Sequence, residues 1–482
     1  MLKLNNVDLT KVAIKISSSH FTYHDLHQDI RLVGEYLASI NASKIILVVD
    51  KEYLSYVIIW AVYLSGGTFC ILDDTLPARR LEASIALFKP DMIISDRLLP
   101  GHHRHSLASI IVAATAMKNS SVTVTDKNSL TVDKKEKNNV FCILFTSGST
   151  GEPKGVSLLR DAFEEVVNWA VENLGMVSSD VVGHYCDLGF DMGLFDVFLP
   201  LIVGATIVPL VGSQKLAPGR YVHRFAISWM YAVPTIADIF QVSHDFERGH
   251  LCTLRSLGFG GAPLYLRNIE YIANHKPNMQ IYNTYGPTET TIFTSCILFN
   301  AYQYRDITKD SVCLGKPITG VNYAINEQSR DDENACMGEL IVTGSHCFAG
   351  YLTDVTDMDY LGAKTKGIHN TGDLVIKKDD LLYFVGRIDN QVKVRGNRID
   401  LDGLDAQVYK LGIVAKSLVI KERLIMFCAG YLSIGELKRK LINYLPKNHI
   451  PDEFIILTKL PLNKNGKYCK KELAVLYELK QG

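Results

Sequence analysis

The stretch Phe141–Leu158, FCILFTSGSTGEPKGVSL, decides how the rest of the chain is read. Its apolar start has the continuous pattern of a buried strand. It then runs straight into glycines, hydroxyl residues and one lysine, Lys154. Glycine carries a backbone-entropy cost, so a loop this rich in it is expected where the backbone approaches something closely. Successive N–H groups, hydroxyls and a lysine after a strand point to a phosphate. The loop is not of the Walker A type, because Pro153 stands before Lys154 where that motif needs glycine, and no Ser or Thr follows.

Working outward, His24–Ile40 has helical spacing and leads into the apolar run Lys44–Asp50, a buried strand. The uncharged run Leu54–Leu72 is close to membrane length, but Ser65–Gly67 splits it into an apolar helix with a glycine C-cap and a short strand. Lys118–Asn139 is polar, lysine-rich and poorly periodic, and reads as an exposed connection. Further βα units run through Gly204–Leu210, Ser228–Pro234 and Leu254–Gly261. This alternation predicts an α/β fold with a largely parallel sheet. From about Ser311 the texture changes to short strands, with Lys377–Asp380 as a hairpin turn. A helical stretch, Ser433–Leu445, and a lysine-rich tail follow.

A chain of 482 residues is too long for one core and predicts two or three units. Lys plus Arg and Asp plus Glu stand at 51 each, which argues against a nucleic-acid or anionic-membrane partner. The ten cysteines show no CxxC and no Cys/His pair at metal spacing, so they read as reduced thiols of a cytoplasmic protein. The first residues lack the apolar core of a signal peptide.

TSGSTGEPKG, Thr146–Gly155, resembles the signature of the adenylate-forming (ANL) superfamily: acyl-CoA synthetases, luciferases and the amino-acid adenylation domains of nonribosomal peptide synthetases. Other segments resemble the family's motifs in the same order: LGFGGAPL (Leu257–Leu264), YNTYGPTETT (Tyr282–Thr291), NTGDL (Asn370–Leu374), GRIDNQVKVRGNRIDLDG (Gly386–Gly403) and LPLNKNGKYCKKEL (Leu460–Leu473). Taken alone, each is weaker. A TGD is usually a turn, and Lys467 would be one solvated lysine in a basic tail. Tyr285 offers a ring for adenine, and Thr288 and Glu289 offer oxygen ligands for Mg²⁺.

The resemblance implies a large N-terminal domain (1–388) of layered βα sheets plus a small β-barrel-like part. A small mobile α+β domain (389–482) would follow, hinged at Asp389. It also implies ATP and Mg²⁺. Thr146, Ser147, Gly148, Ser149, Thr150, Gly151 and Lys154 would hold the outer phosphates. Gly260, Gly261, Ala262, Asn283, Thr284, Tyr285, Gly286 and Phe384 would contact the nucleotide. Thr288 and Glu289 would serve Mg²⁺, and Asp373 and Arg387 the ribose. Lys467 would touch both the substrate carboxylate and the α-phosphate, with Thr146, Lys154 and Glu289 completing the catalytic set.

Amino-acid-activating members carry an aspartate after the phenylalanine of FDMGLFDVF, here Asp191, to pair the substrate's α-ammonium. Such a charge-assisted bond is worth about 1.5–3 kcal/mol. The alternative is that Asp191 caps a helix starting at Met192. The remaining pocket positions by resemblance are Met192, Phe195, Tyr231, Gly258, Gly260, Thr284, Ile292, Phe293 and Lys467. Apart from Lys467 they carry no second charge, which implies an uncharged amino acid. Bulky and absent side chains together fit either a compact substrate or a flat ring lying along the glycines. Ala349, Gly193 and Cys469 depart from the family pattern.

No carrier module follows Lys467, so the expected partner is a carrier protein's phosphopantetheine thiol in trans, in nonribosomal peptide or other secondary-metabolite biosynthesis. A small accessory protein is left open as a further partner. Three rival readings are an acyl- or aryl-CoA synthetase, opposed by Asp191, a D-alanine ligase for teichoic acids, and a degenerate scaffold. The scaffold would be expected to have lost Lys467, Glu289 or Asp373, and all three are present.

Overall fold

The alternating stretches fold as parallel βα units in the computed structural model. It describes all residues except 1, 3, 5–6, 98, 100, 121–138, 148–152, 310, 333–334, 353–366, 379–380, 389–390, 431–432, 462–467 and 482. The first helix is Tyr23–Ser39, opened by a capping box in which Thr22 and Asp25 each accept the other's backbone N–H. The long uncharged run breaks as expected into a buried helix, Tyr53–Leu64, and a strand, Thr68–Leu72. Gly66 sits at φ +76°. The N–H of Gly66 donates to Tyr63 O at 3.2 Å and that of Gly67 to Val62 O at 3.0 Å, the paired bonds of a Schellman stop. Among the described residues no helix is long and apolar enough to cross a membrane. Most of the connection expected at Lys118–Asn139 lies outside the described residues.

The strands form three larger sheets. The nine-stranded sheet runs Lys316–Pro317, Ser295–Asn300, Gln280–Tyr285, Ser256–Phe259, Trp229–Ala232, Val181–His184, Thr206–Pro209, Val12–Ile16 and Ser19–Thr22. From Gln280–Tyr285 to Val12–Ile16 its neighbours pair in parallel. The six-stranded sheet contains Val140–Ser147, the strand that enters the glycine-rich loop, and Pro153–Leu159, which leaves it. The third is a four-stranded sheet of Val321–Asp332, Ala335–Gly344, Ile368–Lys378 and Leu381–Arg387. Its last two strands flank the expected hairpin turn, whose tip lies outside the described residues.

Side chains alternate along a strand, so the nine-stranded sheet sorts its residues between two faces. Met230, Leu257 and Ile281 enter one apolar cluster. Trp229, Tyr231 and Tyr282 enter the other, together with the helix Asp191–Val203.

The chain divides into two compact units: Met1–Asp74 with Leu87–Leu144 and Gly155–Gly386, and Thr75–Ala86 with Phe145–Lys154 and Arg387–Gly482. The larger sheets fall almost wholly in the first. In the second, the strands Ala415–Ile420, Arg423–Ala429 and Glu453–Leu457 form a sheet. The helix Ile434–Ile442 starts on a Ser433–Glu436 capping box. The tail read as merely lysine-rich is a helix, Lys470–Gln481. It buries Leu473 and Tyr477, one turn apart, in a cluster with Ile425 and Phe427.

Candidate active site

Across four parallel strands of the first unit, His184, Tyr231, Gly258 and Tyr282 stand in register. Gly258 therefore lies between two tyrosines on one face of the sheet. The hydroxyl of Thr284, two residues further along the last strand, donates to Phe259 O at 2.9 Å. Its single proton is thus committed, and the Tyr231 hydroxyl, paired with Thr284 Oγ1, donates to it.

The helix Asp191–Val203 packs on this face. It begins at Asp191, one residue earlier than the capping alternative requires, and Phe190 at the N-cap makes no side-chain cap. Asp191 Oδ1 accepts the Met192 N–H at 2.8 Å. Asp191 is half-buried, at a helix end that favours negative charge. Met192 and Phe195 are buried. Phe195 meets Tyr231 edge-to-face at 5.5 Å and Phe293 at 5.4 Å.

Ile292 and Phe293 reach this cluster through a tight turn. Thr291 and Ile292 stand at φ +60° and +67°, a region that β-branched residues rarely adopt. Gly286 is obligatory below them, because a Cβ there would lie 2.5 Å from Phe293 Cα.

Of the residues expected at the nucleotide, Tyr285 and Asp373 meet within the first unit. Tyr285 donates its hydroxyl to Asp373 Oδ2 at 2.6 Å, and both residues are buried. Burial first, and the adjacent Asp373 carboxylate second, push the Tyr285 hydroxyl pKa well above its ordinary value. Glu289 lies on the short turn Thr288–Thr290, buried, and its Oε1 accepts the Tyr351 hydroxyl at 2.9 Å. The Asn283 amide donates to Cys313 O at 2.9 Å. Gly260 donates its N–H to Ala232 O at 3.3 Å, and Gly261, before Ala262, adopts φ +75°. Phe384, half-buried, packs on the main core cluster. Thr146, Ser147, Lys154 and Arg387 fall in the second unit. Gly148, Ser149, Thr150, Gly151, Asp389 and Lys467 lie outside the described residues.

Five buried residues near this cluster were not read from the sequence. Tyr282 is one. The others form a buried polar group: Lys51 Nζ donates to the carbonyls of His184, Tyr185 and Cys186 at 3.1, 3.0 and 3.1 Å. His184 Nδ1 pairs with the Tyr56 hydroxyl at 2.7 Å. Burial pulls Lys51 down to about 7 and raises Asp196 well above the usual carboxylate range. Among the described residues neither Asp196 oxygen has a hydrogen-bond partner. A lone lysine at the end of an apolar strand was the available signal for Lys51. Among the described residues no group of three or more His, Cys, Asp or Glu is arranged to hold a metal.

The model of the AMP-binding enzyme family matches residues 5–352. The chain belongs to the AMP-binding enzymes. The resemblance carried by Thr146–Gly155 is thereby borne out. This AMP-binding enzyme is 27% identical over 504 residues to the L-proline–[L-prolyl-carrier protein] ligase of Streptomyces coelicolor, covering 95% of this chain and 93% of the relative. It is 26% identical over 440 residues to the D-alanine–D-alanyl carrier protein ligase of Listeria monocytogenes, covering 85% and 84%. Its fold is that of the Vibrio cholerae adenylation domain AlmE, solved in complex with glycyl-adenosine-5′-phosphate: TM-score 0.83, 21% identity, 98% and 95% coverage. The holo form of PA1221, a nonribosomal peptide synthetase protein containing adenylation and carrier domains, aligns at TM-score 0.77 and 21% identity, over 96% and 81%.

Proposed function

We propose that this enzyme activates an uncharged amino acid with ATP and passes it to the phosphopantetheine thiol of a carrier protein in trans, for nonribosomal peptide or other secondary-metabolite biosynthesis. The amino-acid carboxylate attacks the α-phosphorus and pyrophosphate leaves with the electron pair of the broken bond. The thiol, losing its proton, then attacks the aminoacyl carbonyl and AMP departs. Relatives named as carrier-protein ligases, and a structural neighbour holding glycyl-adenylate, support this reading.

The observation that carries it is Asp191. A half-buried carboxylate stands at the head of a buried helix that sets Phe195 against Tyr231 and Phe293 in a largely apolar cluster. Such a group has use for a substrate ammonium and none for a fatty or aryl chain. Thr288 and Glu289 fit Mg²⁺, since a hard cation held by one carboxylate and substrate phosphates needs no all-protein cage. That ion would neutralise phosphate charge. Tyr285 and Asp373 would hold adenosine, the loop at Thr146–Lys154 the outer phosphates, and Lys467, swung about Asp389 on the domain 389–482, the reacting carboxylate.

The test is amino-acid-dependent exchange of labelled pyrophosphate into ATP. Asp191→Ala should lower kcat/KM for the amino acid by about 10- to 100-fold. Lys467→Ala should abolish most exchange in a folded protein. Exchange with fatty or aryl acids alone would overturn the reading, and an Asp191→Ala enzyme of unchanged selectivity would remove the ammonium contact.

A further inference from the structure

We infer that the amino acid is a small one, with a side chain of no more than a methyl group, because this chain's own tyrosines fill the space that Gly258 and Gly260 leave. The inference rests on the adenylation reading and narrows its substrate class. Two glycines in a pocket wall ordinarily mean room for a ligand. Here the register puts Gly258 between Tyr231 and Tyr282, and both rings lean over it. A Cβ at 258 would stand 2.0 Å from Tyr282 Cε2 and 2.7 Å from Tyr231 Cδ2. A Cβ at 260 would stand 2.4 Å from the Tyr231 hydroxyl and 2.7 Å from Thr284 Oγ1. A flat substrate ring lying along these glycines would have to occupy the place of these rings.

The wall is also fixed. Tyr231 is 1% exposed, and its hydroxyl is tied to Thr284, which is itself tied to Phe259 O. Phe195 packs on the Tyr231 ring, and Phe293 packs on Phe195. Swinging Tyr231 aside would leave its own buried hydroxyl unpaired and break ring contacts on two sides. Tyr282 is fully buried and stacks at a tilt on Trp229, 5.1 Å away. It is not a pocket position by family resemblance, yet it closes the space at Gly258 and so sets substrate size.

Pyrophosphate exchange with glycine, L- and D-alanine, β-alanine, leucine and phenylalanine tests this on the full chain. The wild type should favour the best of the small acids over leucine and phenylalanine by about 100-fold or more in kcat/KM. Tyr231→Ala should erase about tenfold or more of that preference by admitting the larger acids, while Tyr231→Phe, which keeps the ring, should retain it. A wild type that prefers leucine or phenylalanine overturns the inference, as does a folded Tyr231→Ala enzyme with unchanged rank order. If Tyr231→Ala does not fold, Tyr282→Leu is read by the same criterion. Exchange with no amino acid but with a fatty or aryl acid overturns the amino-acid reading beneath it instead. Should exchange be silent throughout, thermal shift with glycyl- and phenylalanyl-sulfamoyl adenosine decides. Stabilisation by the glycyl probe supports small-substrate selection, by the phenylalanyl probe overturns it, and by neither overturns the amino-acid reading.

Discussion

The two faces of the nine-stranded sheet are made from the same strands and do different work. One presents Met230, Leu257 and Ile281 to an apolar cluster. The other, one residue along, presents His184, Tyr231, Gly258 and Tyr282. The apolar face can tolerate volume-conserving exchange, because a hydrophobic side chain asks for space and nothing else. The tyrosine face cannot, because its hydroxyls and its glycine fix which ring sits where. A parallel sheet buried on both sides thus separates stability from selectivity by the alternation of side chains alone.

The largest expected effect attacks the apolar face. Leu257 is fully buried, and Leu257→Ala should cost about 2–5 kcal/mol, read as a shift in denaturant midpoint. The rank order of amino acids in pyrophosphate exchange should not move. If it did, the two faces would not be separable, and the wall at Gly258 would owe its shape to packing from behind.

The next effect sharpens the comparison through acid. His184 is fully buried, and burial, followed by the charges of Lys51 and Lys215, holds its pKa well below the ordinary value. Unfolded, the ring takes a proton near pH 6.5; folded, it stays neutral. The unfolded chain therefore binds the extra proton, and stability falls as pH drops below that point, by about 1.4 kcal/mol per unit or about 2 kcal/mol by pH 5. Asp196, raised by burial, works in the opposite direction, so the His184 share is read as a difference: between pH 7 and 5, denaturant melts of His184→Gln should lose about 2 kcal/mol less than those of the wild type or of Leu257→Ala. Parallel slopes in all three would mean that another group carries the acid sensitivity.

The sequence disclosed the motifs better than the fit. Thr146–Gly155 and Tyr282–Thr291 are legible because close backbone approach and oxygen ligands demand particular residues at particular spacings. Tyr53–Leu64 and its Schellman stop were legible for the same reason. Gly258 was not. A glycine in a string reads as missing volume, and whether that volume is empty depends on strands about 25 residues away in either direction, whose register no local pattern fixes. The Lys470–Gln481 helix was hidden because it buries a stripe as narrow as Leu473 and Tyr477, while Val475 and Leu479 stand exposed and blur the apolar period. Lys51 and Asp196 were hidden because burial of a charge is a tertiary fact.

The division between faces should give way at the carboxyl ends of the strands, where ligands of open α/β sheets bind. Along Gln280–Tyr285, Ile281 belongs to the apolar cluster, but Asn283 and Tyr285, two and four residues on, carry hydrogen bonds instead. Tyr285→Phe probes this end. It takes from the Asp373 carboxylate a donor at 2.6 Å, which should cost about 1 kcal/mol of stability in the free enzyme. If Asp373 receives the ribose hydroxyls, bound ATP supplies replacement donors, and the variant should be stabilised by ATP more than the wild type is. Thermal melts with and without ATP measure the difference directly. A deficit that ATP leaves untouched would detach Asp373 from the ribose and make the Tyr285–Asp373 pair a structural bond like those further down the strand.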